Sequence, residues 1–332
     1  VEFLKVYSLS SSYIFNLFGF AYLCGMQLSG LDTLIPTQKI DLSAFGIEHS
    51  SLYIKRDDLI HPFVSGNKFR KLKYNVEVAK TEGCNTLVTF GGAFSNHIAA
   101  VAFAGRENGF KTVGIIRGEE LVNKVNGNST LQFARNCGME LHFITREKYS
   151  NKNNPEYLEM LDNTFPNCYI LPEGGTNALA IKGCTEILEE EDKRFEYICV
   201  PVGTGGTLAG IVKASHGNQK VLGFSALKGT FHRKEVAAHT ARTNYSIMDT
   251  YCFGGYAKIE IELVRFINEF HRKTGIPLDP VYTGKMMFGI FDLIKRGAIE
   301  ENSRILAIHT GGLQGVAGMN DLLQRKNLPL ID

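Results

Sequence analysis

The stretch Tyr197-Ile198-Cys199-Val200-Pro201-Val202-Gly203-Thr204-Gly205-Gly206-Thr207-Leu208-Ala209-Gly210 decides the fold of this chain. An unbroken apolar run of strand length ends in a glycine loop, and a helical pattern follows. That order predicts a strand buried on both faces that feeds a helix. The same order recurs at Thr86–Phe90, Val113–Ile116, Leu141–Ile144, Tyr169–Leu171, Val221–Phe224 and Ile305–Ile308. Strands alternating with helices imply an α/β fold with parallel sheets and crossover helices. Ligands in such folds gather at the carboxyl ends of the strands. Four polar glycine loops stand at those ends: Gly91–His97, Glu173–Asn177, Gly203–Thr207 and His309–Gly312. They are expected to converge on one crevice.

The 332 residues are too many for one small core, so two domains, or one large unit with an insertion, are expected. A net charge of +2, with basic residues scattered, gives no reason to expect a nucleic-acid partner. The seven cysteines are odd in number, widely spaced and without a C-x-x-C pair. That usage reads as a reduced, cytoplasmic protein with neither a disulfide framework nor a metal site. The apolar run Tyr13–Leu28 is short for a membrane span and is interrupted by Asn16 and Gln27. It also has no clean small-x-small cleavage site. Residues 1–30 are therefore read as an apolar N-terminal extension that packs on the body or mediates association, and no membrane partner is expected.

Gly203–Thr207 has the chemistry of an anion loop. Glycines bring backbone N–H groups close to a ligand, the helix start favours negative charge, and threonine hydroxyls add donors. A P-loop or a dinucleotide loop starting at Gly203 would need glycine at position 208, which is Leu. A single small phosphate fits better, although a turn that only lets a helix pack has the same composition.

Upstream lies Ser65-Gly66-Asn67-Lys68-Phe69-Arg70-Lys71-Leu72. Phe69, Leu72, Val76 and Ala79 predict a helix over 67–80 with one buried face, and Asn67 is a candidate cap. Lys68 and Lys71 are three apart and share a side of that helix. A lysine with a pKa near ~10.4 is a poor nucleophile at pH 7. Burial and nearby cations such as Arg70 and Lys71 lower it. A phosphate loop beside such an amine points to an aldehyde cofactor held as a Schiff base. Taken alone, a basic helix start is also what a solvated surface looks like. Ser95-Asn96-His97 opens another predicted helix and suits a substrate carboxylate or a ring oxygen. No G-x-S-x-G frame surrounds Ser95, which disfavours a hydrolase triad. Tyr256 and Tyr282 lie in turn-like segments and read equally well as core residues.

The ordered motifs GNKFRKL, GGAFSNH, PEGGTN, VGTGGTLAG, DPVYTGK and HTGG resemble the D-cysteine desulfhydrase and 1-aminocyclopropane-1-carboxylate (ACC) deaminase family from about Leu31 to Leu328. The resemblance implies a fold type II, tryptophan synthase β-like enzyme with two open α/β domains, and pyridoxal 5'-phosphate as cofactor. It implies a large domain from 31–71 plus 181–332 and a small one over 72–180. Lys68 would form the Schiff base and move the Cα proton. Lys71 and Gly203, Thr204, Gly205, Gly206 and Thr207 would hold the phosphate. Asn96 would bond the phenolic oxygen, and Thr283 and Thr310 would lie near the pyridine nitrogen. Ser95, Asn96 and His97 would receive the substrate carboxylate, with Tyr256 and Tyr282 lining the substrate pocket. Among these, Lys68, Ser95, Tyr256 and Tyr282 are the expected catalytic residues.

Where the deaminases resemble V-Y-E-G, S-N-Q and H-L-G-G, this chain has Thr283, His97 and Thr310, as on the desulfhydrase side. Ile98 and Ala99 stand where Arg-Gln typically follows the S-N motif. A threonine near the ring nitrogen gives a weaker electron sink than a carboxylate. The expectation is therefore a carbon–sulfur lyase on a small amino acid, D-cysteine favoured, acting as a homodimer. ACC deaminase is the alternative. A D-serine-type ammonia lyase, a β-replacement synthase and a cofactor-holding protein without turnover are further readings.

Overall fold

Two mostly parallel sheets frame the molecule, and the computed structural model describes residues 35–229 and 231–332. The strands are β1 (Thr37–Ile40), β2 (Ser51–Lys55), β3 (Thr86–Gly91), β4 (Lys111–Arg117), β5 (Glu140–Ile144), β6 (Cys168–Leu171), β7 (Tyr197–Val202), β8 (Lys220–Ser225), β9 (Tyr245–Met248) and β10 (Arg304–Ile308). One sheet has the order β1-β2-β10-β7-β8-β9 and the other β5-β4-β3-β6. Only β1 pairs antiparallel, on β2. The four-stranded sheet draws on residues 86–171; the six-stranded sheet takes strands from both sides of it in sequence. The apolar extension expected over residues 1–30 lies outside the described residues.

Every apolar run read as a strand is one. All six residues of β3 and of β7 are buried, as strands covered on both faces must be. The helix Asn67–Thr81 buries Phe69, Leu72, Val76 and Ala79, the four positions its pattern marked. Full burial of Phe69, Leu72 or Val76 contributes roughly 1.5–3 kcal/mol each. The expected cap differs: Asn67 is the first helical residue, Gly66 precedes it at φ 58°, and no side chain caps the helix. Asn67 instead sends its Nδ2 to Thr207 Oγ1 at 2.8 Å, joining this helix to the Gly203–Thr207 loop. Glycine is required at 66 because a Cβ there would stand 2.1 Å from Thr310 O.

A buried ion pair ties the start of the large sheet to the segment before β7. Lys55 is fully buried, with its Nζ 2.5 Å from Asp192 and 3.1 Å from Glu189. The six described cysteines are free. Among the described residues no helix is long and apolar enough to cross a membrane.

Candidate active site

The four glycine loops meet around one cavity of about 360 Å³. That volume lies in the ~300–1,000 Å³ range of small-molecule sites. Each loop supplies wall residues: Gly92, Ser95, Asn96 and His97; Glu173 and Gly174; Gly203, Thr204, Gly205 and Thr207; Thr310 and Gly311. Lys68, Lys71, Tyr256 and Tyr282 stand on the same wall; of the expected residues, Gly206 and Thr283 do not line it. Within each sheet the strands that carry these loops run parallel, so their carboxyl ends share one edge of that sheet.

Lys68 projects from the first turn of its helix, and its Nζ donates to Asn67 Oδ1 at 3.1 Å. Burial, reinforced by the Lys71 charge, lowers its amine to about 7. A substantial fraction is then the free, nucleophilic base near neutral pH. Lys71 is 2% exposed and donates to Gly174 O at 2.8 Å and to Thr176 Oγ1 at 3.1 Å. Burial lowers its amine too. Arg70, expected to add to the positive neighbourhood, turns away. Its guanidinium donates twice to Asp57 Oδ1, at 3.0 and 2.8 Å, and only Lys71 contributes a like charge to Lys68.

The anion cradle is built opposite. Gly205 has φ 94°, and the helix Gly206–Ala214 begins next to it. The first amides of a helix have no intrahelical acceptor, so they face the cavity loop as donors. A Cβ at Gly206 would lie 2.8 Å from both Cγ2 and Oγ1 of Thr176, so position 206 favours bare backbone. Thr176 and Thr204 share a hydroxyl bond of 2.6 Å, which fixes both side chains beside Lys71. Glycine backbone, free helix-start amides, hydroxyls and a buried cation form a donor set suited to a phosphate.

The Ser95–His97 loop opens the helix Asn96–Glu107. Ser95 caps it, with Ile98 N donating to its Oγ at 3.3 Å. Gln314 donates to Asn96 Oδ1 at 2.9 Å, which orients the Asn96 amide so that its Nδ2 remains a donor. His97 is 1% exposed, and both of its ring nitrogens are without a hydrogen-bond partner among the described residues. Burial, then the Lys68 and Lys71 charges, hold it neutral, well below the usual imidazole range. Tyr256 and Tyr282 face each other edge to face at 6.3 Å. Burial raises both phenols, so they enter the site as hydroxyls.

Thr310 and Thr283 separate. Thr310 is on the cavity wall; Thr283, expected beside the cofactor ring, is not among the lining residues. Thr283 is fully buried, its Oγ1 donating to Asp279 Oδ1 and accepting from Asp279 N, each at 2.9 Å. Asp279 also accepts from the amides of Val281, Tyr282 and Thr283, so the pair shapes the helix start that presents Tyr282. Sequence reading placed Glu173 in a converging loop but gave it no role, and it missed Arg117 and Gln314. Arg117 and Glu173 are wall residues; Glu173 is the only carboxylate among the residues lining the cavity. It accepts from Tyr149 at 2.8 Å and pairs with Lys152 at 3.2 Å. Their one signal was position: Arg117 ends β4 and Glu173 follows β6.

The family model of pyridoxal-phosphate-dependent enzymes matches residues 31–311. The chain belongs to that family. A relative from Pyrococcus abyssi, named "Putative 1-aminocyclopropane-1-carboxylate deaminase", is 32% identical over 292 residues, covering 80% of this chain and 85% of the relative. The bifunctional D-cysteine desulfhydrase/1-aminocyclopropane-1-carboxylate deaminase, mitochondrial, of Arabidopsis thaliana is 30% identical over 301 residues, covering 80% of this chain and 73% of the relative. The crystal structure of an ACC deaminase homologue superposes with a TM-score of 0.75 at 28% identity, covering 88% of this chain and 94% of that one. The fold is thus fold type II, and the cofactor of the family is pyridoxal phosphate.

Proposed function

We propose that this enzyme is a lyase that eliminates the β-substituent of a small amino acid, with D-cysteine favoured. Water is consumed, and pyruvate, ammonia and hydrogen sulfide are the products. The observation that carries the reading is the Lys68 amine, lowered to about 7, facing a cavity that holds a phosphate cradle and a separate carboxylate-binding loop. Bound pyridoxal phosphate supplies an aldehyde that condenses with amines and a conjugated ring that accepts electrons from Cα.

The chain's own groups divide the remaining work. Lys68 Nζ is the group to hold the cofactor and, once freed by the substrate amine, to take the Cα proton. Lys71, the Gly203–Thr207 amides and the threonine hydroxyls hold the phosphate. Asn96 Nδ2, aimed by Gln314, donates to the phenolic oxygen. The Ser95 hydroxyl and the helix-start amides at Asn96 and His97 receive the substrate carboxylate. Tyr256 and Tyr282 confine the leaving group's side of the cavity. Thr310 is the polar group proposed for the ring nitrogen.

Two features support elimination over cyclopropane opening. The only lining carboxylate, Glu173, is already engaged by Tyr149 and Lys152. A threonine hydroxyl withdraws electrons from a ring nitrogen far less than a carboxylate, and a thiolate leaving group demands less of that pull. ACC deamination is the second reading, favoured by the name of the Pyrococcus abyssi relative, while the Arabidopsis thaliana relative is named for both activities. Side-by-side turnover separates the two: pyruvate from D-cysteine against 2-oxobutyrate from ACC. Pyruvate as the dominant product supports the proposal, and 2-oxobutyrate alone overturns it. A cofactor band with neither product would mark a protein that holds the cofactor without turnover. The assembly proposed is a homodimer, to be read by light scattering.

A further inference from the structure

Lys285 is a buried amine that the chemistry above does not use. It lies in the first turn of the helix Thr283–Lys295 and is 1% exposed. No carboxylate of the described residues pairs with it. Its Nζ donates instead to two backbone carbonyls, Cys252 O and Gly255 O, each at 2.8 Å. Burial lowers its amine to about 8. A buried amine aimed at neutral acceptors is a costly way to fill space, and an apolar side chain would do so more favourably. The two bonds therefore call for a purpose.

Both acceptors belong to the turn that carries Tyr256 into the cavity. That turn runs against ordinary backbone preference: Phe253 has φ 49°, Gly254 86°, Gly255 117° and Ala257 54°. Phe253 and Ala257 are not glycines, and side-chain-bearing residues hold such angles only when their surroundings fix them. Within the turn, the backbone supplies Gly255 N to Cys252 O at 2.9 Å and Lys258 N to Gly255 O at 3.2 Å. The Lys285 bonds land on the same two carbonyls. Apart from the edge contact with Tyr282, the Tyr256 hydroxyl reaches Phe94 O at 3.5 Å.

Tyr282, the other cavity tyrosine, is the residue that leads into the helix bearing Lys285. One helix thus governs both rings, Tyr282 through the chain and Tyr256 through an amine clamp. We propose that Lys285 is a positioning residue that fixes the 252–256 turn, and with it the placement of Tyr256 against Tyr282 over the reacting substrate. The inference rests on the reading of this cavity as the lyase site.

Two measurements test it, one independent of catalysis. Hydrogen exchange of the amides from 253 to 258 is compared in the wild type and in Lys285→Met, in the enzyme with and without cofactor. Exchange in that segment is expected to rise at least about tenfold, with the two sheets unchanged. Turnover of D-cysteine by the loaded enzyme is then measured for Lys285→Met, Tyr256→Phe and the double variant. The kcat losses are expected to be non-additive, the double variant falling no further than the worse single one, and Lys285→Arg is expected to recover part of the loss. Wild-type exchange in Lys285→Met, or losses that multiply in the double variant, would overturn the proposal. If Lys285→Met does not fold, Lys285→Gln carries the same two measurements. A loaded wild type that makes no pyruvate sinks the lyase reading instead, while the exchange experiment still judges Lys285 by itself.

Discussion

Replacing Lys71 with Met separates a phosphate ligand from a residue that merely supports the fold. Met is close to Lys in shape, so packing at this 2% exposed position changes little. Three things are lost: a buried positive charge, a donor to Gly174 O at 2.8 Å and a donor to Thr176 Oγ1 at 3.1 Å. Hydrogen bonds to charged groups are worth about 1.5–3 kcal/mol. If Lys71 holds the phosphate, cofactor affinity is expected to fall by roughly 10- to 150-fold. The cofactor-free protein behaves differently. Removing a desolvated charge offsets the loss of the two donors, so its melting temperature is expected to stay within a few degrees of the wild type. Cofactor binding is followed by its visible absorbance, and stability by thermal unfolding of the cofactor-free form.

The same substitution tests the electrostatics of Lys68, because Lys71 is one cause of its lowered pKa. The rate at which cofactor-free enzyme captures pyridoxal phosphate should follow the unprotonated amine. In the wild type it rises with pH through about 7 and then levels. In Lys71→Met the midpoint moves upward, since a repelling cation has gone; burial, the larger cause, keeps it below an ordinary lysine. The reasoning is refuted if affinity in Lys71→Met stays within twofold of the wild type, or if the midpoint does not move. A large loss of stability without loss of affinity would make Lys71 a structural residue.

Lys68→Ala is expected to abolish both turnover and the visible band that borohydride removes in the wild type; a band that survives refutes the assignment of Lys68. In Gly206→Ala the new methyl meets Thr176 at 2.8 Å, so cofactor affinity should drop at least about tenfold by titration with little change in far-ultraviolet circular dichroism. Thr283→Val breaks both bonds to Asp279, leaves a buried amide without its acceptor, and should cost about 2–3 kcal/mol in denaturant unfolding while leaving the ratio of D-cysteine to ACC turnover unchanged. A changed ratio would return Thr283 to the cofactor. Asp192→Asn leaves Lys55 with Glu189 alone in a buried place, and a loss of about 3 kcal/mol is expected by chemical denaturation.

Seven of the ten described strands were legible as short apolar runs: β3 and β7 are buried on both faces, and even the half-buried edge strands β5 and β6 keep mostly apolar residues. β1 (TQKI), β2 (SLYIK) and β9 (YSIM) were not. β1 and β9 are the edges of their sheet, where half the residues face out and no apolar run is needed. β2 carries Lys55, whose burial depends on pairing with Asp192 and Glu189, partners far off in sequence. The wall of the cavity was legible where glycine marked a strand end. Thr283 misled because a motif records neighbours in sequence and not the direction of a hydroxyl. Asp279, four residues earlier, claims that hydroxyl, and nothing local in the sequence shows it. Gln314 was invisible for a related reason: it matters through Asn96, which only the fold brings near.

Lys68 faces two demands that pull in opposite directions. To capture an aldehyde it must be a free amine; to remove a Cα proton and keep it, it must be a base of useful strength. The cavity without an anion meets the first demand, since burial and Lys71 lower the amine to about 7. A phosphate on the Gly203–Thr207 loop would bring its negative charge to Lys71 and offset the cation that repels a proton at Lys68. The same charge would relax the lysine repulsion on His97, which burial first, and then the two lysines, keep neutral. Anion binding at the cradle thus strengthens the base at the moment a base is needed. Inorganic phosphate alone should show this. Added to cofactor-free enzyme, it is expected to shift the pH midpoint of Lys68 acylation by a small amine-reactive reagent upward in the wild type, and by much less in Lys71→Met. An unchanged midpoint in the wild type at saturating phosphate would break the link between cradle and base.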